Sequence, residues 1–229
     1  MLPFAIAIDG PGGVGKSTTA RKVAEKLGFT YIDTGAMYRA VALYNLRQQI
    51  NVHNEAAVSA SLCNIEIMLH RQHIFLNGED ISADIRTQAV ADATSIIAAY
   101  APVRKKLVAE QQALAETTSV VMDGRDIASA VLPWAQVKIY LDAKLKTRAA
   151  RRHAELIAKG QHRNLDDVIQ DTKIRDERDC TRLHAPLIRV PEAVYIDNTT
   201  LTTEEVVAQI IALVTYIMQK KEHPSCATE

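Results

Sequence analysis

The sequence predicts an α/β fold built on one parallel sheet, and three observations carry that expectation. Short apolar runs recur along the chain: FAIAI (4–8), FTYI (29–32), SVVM (119–122), VKIYL (137–141) and AVYI (193–196). Strands covered on both faces read this way. The first strand, a helix and the second strand fit within about 30 residues, the length of a βαβ unit. The turn between that strand and helix is rich in glycine, as a buried strand feeding a helix requires.

Each element has its own signal. In STTARKVAEKL (17–27), Ala20, Val23, Ala24 and Leu27 share one helical face, and Gly28 ends the helix. A second helix is expected over 36–48. Residues 64–77, NIEIMLHRQHIFLN, change character: Ile65, Ile67 and Leu69 alternate with polar neighbours, then Ile74 and Leu76 follow a turn. This is an antiparallel hairpin with one wet face, foreign to a buried parallel sheet. It is placed in an insertion from about 60 to 105, with helices over 83–98 and 102–116. An arginine-rich helix over 145–159 ends at Gly160, and a polar stretch, 161–190, follows. Thr202 and Glu205 form a capping box before a last amphipathic helix to about 220. The tail, 221–229, is expected to fray.

Composition sets outer limits. The 229 residues, 48% of them hydrophobic, suffice for one sizeable core. Lysine plus arginine and aspartate plus glutamate both number 27, so the basic excess of a general nucleic-acid binder is missing. Cys63, Cys180 and Cys226 lie far apart without a CxxC pair, which suggests a reducing compartment and no zinc site. No run approaches the ~18 apolar residues of a membrane helix, and the N-terminus does not read as a signal peptide. A cytoplasmic protein with no membrane partner is expected, with a monomer as the default.

The loop Gly10-Pro11-Gly12-Gly13-Val14-Gly15-Lys16-Ser17 fits G-x-x-x-x-G-K-[ST] without a mismatch, and Thr18 follows it into the helix. Its glycines let backbone N–H groups turn inward around phosphate oxygens, and the helix N-terminus adds its dipole. Lys16 can reach the β- and γ-phosphates, and the Ser17 hydroxyl can bind Mg²⁺. Asp33 and Asp123, at strand ends, are each able to order that ion through water. Nucleoside triphosphate binding follows.

What receives the phosphate is a separate matter. The N-K-x-D of switch GTPases, the L-S-G-G-Q of transporter ATPases, and the H-R-D and D-F-G of protein kinases are all missing. Small-molecule kinases remain. They must hold two polyanions face to face, which takes cations from several directions. Arg39 and Arg125 follow strands. Arg148, Arg151 and Arg152 fall at i, i+3 and i+4 of one helix, and Arg163, Arg175, Arg178 and Arg182 lie beyond it. Within IRDERDCTRLHAPL (174–187), Arg175, Arg178 and Arg182 can share a helical face with Asp179 one turn from two of them, a pattern suited to a mobile lid.

Five stretches carry a resemblance: IDGPGGVGKST, YIDTGAMYRA, DIRTQAVADATSIIAAYAPVR, VMDGRDIASAVLPWAQVKIYLDA and RDERDCTRLHAPL. Together they are similar to bacterial cytidylate kinases, in order, from about residue 4 to 215. The resemblance implies a P-loop nucleoside-monophosphate-kinase fold, with a five-stranded parallel sheet, helices on both faces, an inserted monophosphate-binding subdomain and a short lid. It implies one kinase domain over 1–229, with the insertion at 60–105 and the lid at 148–185. The implied reaction is transfer of the ATP γ-phosphate to CMP or dCMP with Mg²⁺. By motif position, cytosine contacts fall on Ser95, Arg104 and Asp126, monophosphate contacts on Arg39, Arg125 and Arg182, and ribose contacts on Arg175 and Asp179. Thr34 stands near the acceptor. Lys16, Arg125, Arg152 and Arg182 are the expected catalytic cations. A kinase for UMP or AMP, a slow ATP-hydrolysing regulator and a non-catalytic scaffold are the competing readings.

Overall fold

A computed structural model describes residues 3–70, 73–158 and 160–222. The tail expected to fray lies outside them from residue 223, as does Cys226. The chain opens with β1 (Ala5–Asp9), α1 (Lys16–Leu27), β2 (Thr30–Asp33) and α2 (Thr34–Arg47). Next come α3 (Glu55–Ser61), the short strands β3 (Ile67–His70), β4 (His73–Leu76) and β5 (Glu79–Asp80), then α4 (Gln88–Ile97) and α5 (Ala101–Thr117). The remainder is β6 (Val120–Gly124), β7 (Val137–Asp142), α6 (Leu145–Ala158), α7 (Leu165–Thr181), β8 (Val194–Asp197) and α8 (Thr203–Glu222).

The five apolar runs form one parallel sheet in the order β2-β6-β1-β7-β8. β1 is its centre and alternates sharply. Ala5 and Ala7 face a core shared with α2, α4 and α5, whereas Ile6 and Ile8 face a second core shared with α1 and α8. Period-two alternation thus puts small residues under one helical layer and branched ones under the other. Helices cover both faces, which is why these strands read as continuous apolar runs. β3, β4 and β5 form a separate antiparallel sheet, with Ile74 and Leu76 buried and Met68 on the wet side.

Caps explain where boundaries differ from expectation. α2 starts at Thr34 rather than 36, because the Asp33 side chain accepts from the Ala36 N–H at 2.9 Å. The helix expected from 83 begins at Gln88, where Thr87 caps it, and a 3-10 turn at Asp84–Arg86 precedes it. Thr202 and Glu205 close the expected capping box, with Thr202 N–H to Glu205 Oε2 at 2.8 Å and Glu205 N–H to Thr202 Oγ1 at 3.2 Å. Within the polar stretch 161–190, the helical face read for Arg175 and Arg178 belongs to a longer element. This is the 17-residue helix α7, which has one fully buried residue, Val168, and packs on α6 through Ala149 and Leu156.

Candidate active site

The glycine loop lies where β1 hands over to α1, above the C-terminal ends of the strands. Gly10 has φ 151°, and a Cβ there would run into the carbonyl oxygen of Leu141 on β7. Gly15 has φ 92° and forms the left-handed step into α1, so only glycine fits both positions without strain. Three side chains brace the loop from outside. Arg148 Nη1 donates to the Gly12 carbonyl at 3.1 Å and to Asp176 Oδ2 at 2.6 Å. Asn198, just past β8, donates to the Val14 carbonyl at 2.6 Å. Arg151 in turn holds Asn198 by its side-chain and backbone oxygens, both at 2.9 Å.

The α6 arginines therefore do not act as one face. Arg148 and Arg151 are structural clamps on the loop, and of the three Arg152 turns to the cleft, paired among the described residues with Glu155 at 3.3 Å. Positions i, i+3 and i+4 lie on one side of the helix, but the long side chains turn to different partners: the loop and Asp176, Asn198, and Glu155.

Lys16 is buried and folds back to donate to the Pro11 carbonyl at 2.7 Å. Burial, and then the nearby Arg125 guanidinium, push its ammonium well below the ordinary lysine range. Ser17 Oγ donates to Asp123 Oδ2 at 2.9 Å, and the Tyr31 hydroxyl donates to Asp123 Oδ1 at 2.8 Å. Burial, with Asp33 beside it, raises the Asp123 carboxyl to about 6. Of the two strand-end carboxylates considered for a metal, Asp33 is committed to capping α2, and Asp123 is the one beside Ser17.

Opposite the loop, Arg104 of α5 and Arg182 both donate to Asp126, Arg182 Nη2 to Oδ1 at 3.1 Å and Arg104 to Oδ2. All three are nearly dry. Arg125 Nε donates to Asp179 Oδ2 at 2.7 Å. Burial would raise the Asp179 carboxyl, but Arg125, Arg175 and Arg182 outweigh it and hold the group below the usual range. Burial and the neighbouring cations Arg125, Arg39 and Arg152 lower Arg175 to about 10 despite Asp179. α7 ends at Thr181, so Arg182 leaves the helical face on which it was expected beside Arg175 and Arg178.

A cleft of about 370 Å³ joins these groups. It is lined by Lys16, Ser17 and Thr18 on one side, by Thr34, Arg39, Ser95, Arg104 and Asp126 on the other, and by Arg125, Arg152, Arg175, Asp179 and Arg182 between them. Gly12, Gly13 and Gly15 also line it, whereas Gly10, Pro11 and Val14 lie behind the loop. The Thr34 hydroxyl donates to the Asp123 carbonyl at 2.7 Å. The Ser95 hydroxyl is buried and has no hydrogen-bond partner among the described residues.

Three contributors escaped sequence reading. Tyr31 reads as an ordinary strand residue, and Asn198 as part of a polar turn. Tyr38 has a buried hydroxyl on the cleft wall that finds no partner among the described residues, with Arg104 lying 5.8 Å from its ring centre. None sits in a spacing pattern that separates it from its neighbours.

As for a metal, the described residues hold no cluster of three or more histidine, cysteine or carboxylate groups. Ser17 and Asp123 offer two hard oxygens in one place, which fits an ion that keeps waters and takes phosphate oxygens, as Mg²⁺ does.

Comparison with known proteins agrees with this geometry. The chain matches the family model described as cytidylate kinase over residues 6–216. It is 46% identical over 215 residues to the cytidylate kinase of Geobacillus kaustophilus, covering 92% of this chain and 96% of the relative. It is 48% identical over 215 residues to that of Pelodictyon phaeoclathratiforme, covering 91% and 93%. A gluconokinase from Sinorhizobium meliloti superimposes with a TM-score of 0.53 at 14% identity over 98% of each chain, a likeness of fold. A match of this extent, over a sheet and loop arranged as described, shows that the chain belongs to the cytidylate kinase family.

Proposed function

We propose that this chain transfers the γ-phosphoryl group of ATP to CMP or dCMP, giving ADP and CDP or dCDP. Family membership supports the reaction class. The observation that carries the choice of acceptor is Asp126, a buried carboxylate across the cleft from the glycine loop, between Arg104 and Arg182.

Cytosine offers one amino donor and two acceptors, N3 and O2, on its pairing edge. Asp126 accepts from the amine, Arg104 donates to N3 and O2, and the orphaned Ser95 hydroxyl takes a remaining position. Uracil presents a carbonyl where cytosine has its amine, which sets oxygen against carboxylate. The acceptor phosphate lies among Arg39, Arg125 and Arg182, and the sugar against Arg175 and Asp179. Arg182 and Asp179 must exchange their present partners to do so.

The loop amides, Lys16 and Arg152 hold the donor phosphates. Ser17 and Asp123 would hold Mg²⁺, which would supply neutralisation of phosphate charge when bound. The acceptor is already an ionised phosphate oxygen, so no side chain need act as base. The protein contributes in-line positioning, water exclusion and converging cations. A monomer, a cytoplasmic setting, the insertion at 60–105 and the lid at 148–185 complete this reading.

The deciding experiment measures ADP formation with CMP, dCMP, UMP, AMP and GMP, and with no acceptor. Turnover at least tenfold better with the cytidine nucleotides supports the proposal. Equal use of UMP refutes the base reading. ADP formation indifferent to any acceptor points instead to a hydrolase.

A further inference from the structure

Asp126 begins a single wide helical turn, Ile127–Val131, yet its own side chain caps nothing there. An aspartate at this position ordinarily turns back onto the next amides of its own helix. Here one of those amides, the Ala128 N–H, is already taken, together with the Ile127 N–H before it. Asp9, the last residue of β1, accepts from the Ile127 N–H through Oδ1 at 2.8 Å and from the Ala128 N–H through Oδ2 at 2.7 Å. Asp9 is 2% exposed and lies one residue before Gly10. A carboxylate from a different strand thus does the local capping, and Asp126 is left to face Arg104 and Arg182 in the cleft.

We propose that Asp9 is a positioning residue for acceptor specificity: by capping the Ile127–Val131 turn in place of Asp126, it keeps the Asp126 carboxylate aimed at the nucleobase. This rests on the reading of Asp126 given above. Without Asp9, the two freed amides offer Asp126 a local alternative, and a carboxylate that turns to them no longer meets the base. The electrostatics agree with that geometry. Burial, and then the charge of Asp126, raise the Asp9 carboxyl to about 7 against the amides of Ala128 and Ile127 and the charge of Lys16. A group held at that cost to its charge is worth keeping only for the bonds it makes.

The test compares kcat/KM for CMP and UMP, and KM for ATP, in wild type, Asp9→Asn, Asp126→Asn and the double variant. Asn is isosteric and keeps one acceptor oxygen, but its amide group faces the second N–H. Expected for Asp9→Asn are an approximately tenfold fall in the CMP-to-UMP ratio, about the effect of one lost hydrogen bond to a charged group, and a KM for ATP within about twofold. In the double variant the ratio falls no further than in Asp126→Asn alone. A purely structural role would lower all rates together and leave the ratio intact, and that result overturns the proposal, as do strictly additive effects. If Asp126→Asn itself leaves the ratio unchanged, the reading of Asp126 fails, and the proposal with it. Should Asp9→Asn not fold, Asp9→Ser, smaller and able to accept one bond, is held to the same outcomes.

Discussion

Arg125 donates to Asp179 at 2.7 Å across 54 residues of sequence, which ties the turn after β6 to the far half of α7. Both residues are expected to touch the acceptor, one its phosphate and the other its sugar. The pair thus occupies itself when the acceptor is elsewhere. Removing one partner leaves a largely buried charge unpaired, a loss of about 3–5 kcal/mol. Arg125→Ala should therefore lower both thermal stability and turnover, while Arg125→Lys restores more stability than activity, because a lysine keeps the charge but not the fork. Melting curves beside kcat for the two variants check this, and a lysine variant with wild-type kcat would contradict it.

Lys16→Ala should lower kcat about 10²-fold or more, since one charge aimed at a transferring phosphoryl group is typically worth ~3 kcal/mol. The fold should survive, because the ammonium is a buried cation whose bond to the Pro11 carbonyl only loops back on itself. Circular dichroism and a steady-state assay on the same preparation test both halves.

Arg152 and Arg182 separate in an instructive way. Among the described residues Arg152 pairs with Glu155, which is exposed, and surface pairs of that kind contribute at most about 1 kcal/mol. Arg152→Ala should leave the melting temperature nearly unchanged and reduce kcat more than it raises KM for ATP. Arg182→Ala should do the same to kcat but also destabilise, because Asp126 loses one of two partners in a dry site. If either variant kept wild-type kcat, that arginine would be a structural charge only.

Asp126→Asn should reduce kcat/KM for CMP roughly ten- to a hundred-fold, the loss of a charge-assisted contact of ~1.5–3 kcal/mol, and should leave KM for ATP almost unchanged. Competition between CMP and UMP in one vessel reads the same effect directly through the product ratio.

A pH experiment addresses Asp9. Burial raises its carboxyl to about 7, above the ordinary aspartate value of 3.8, so between roughly pH 4 and 7 the folded chain holds a proton that the unfolded chain has released. The contribution of this group to stability is full below that window and is lost as pH rises through it. Burial is the main cause, Asp126 adds to it, and Lys16 opposes it. Urea unfolding at pH 5, 6, 7 and 8 should show a smaller decline across the window in Asp9→Asn than in wild type. Parallel curves would refute the assignment.

The sequence was most informative where physical constraints are local. The glycine loop and the alternation of β1 follow from nearest neighbours, and the strand ends fell within a residue or two of the observed ones. Helix α7 was less legible, because its stability lies in one buried face around Val168 and in ion pairs to other elements rather than in an apolar stripe. α3 was missed for its brevity, seven residues started by the Asn54 cap. In the cleft, residue types were legible and pairings were not. That Arg104 and Arg182 would meet on Asp126, or that Arg151 would serve Asn198, depends on which strands lie side by side. Asp9 reads in sequence as one more strand-end carboxylate, and only the adjacency of β1 and β6 gives it a partner.

That adjacency has a consequence for how the chain is made. β1 is synthesised before the other strands, yet the Phe4 N–H just ahead of it donates to Ser119 and the Ala5 N–H to Gln136, 115 and 131 residues later. At ~5–20 residues per second on the ribosome, the wait is on the order of ten seconds. Until then the most apolar strand of the protein has no neighbour, and the glycine loop has no β7 carbonyl to fold against. Nascent chains that stop short of Asp142 therefore carry a bare, strand-forming segment. Such fragments should bind chaperones and precipitate, while chains released after β8 fold, so the central position of β1 makes the growing polypeptide vulnerable for most of its synthesis.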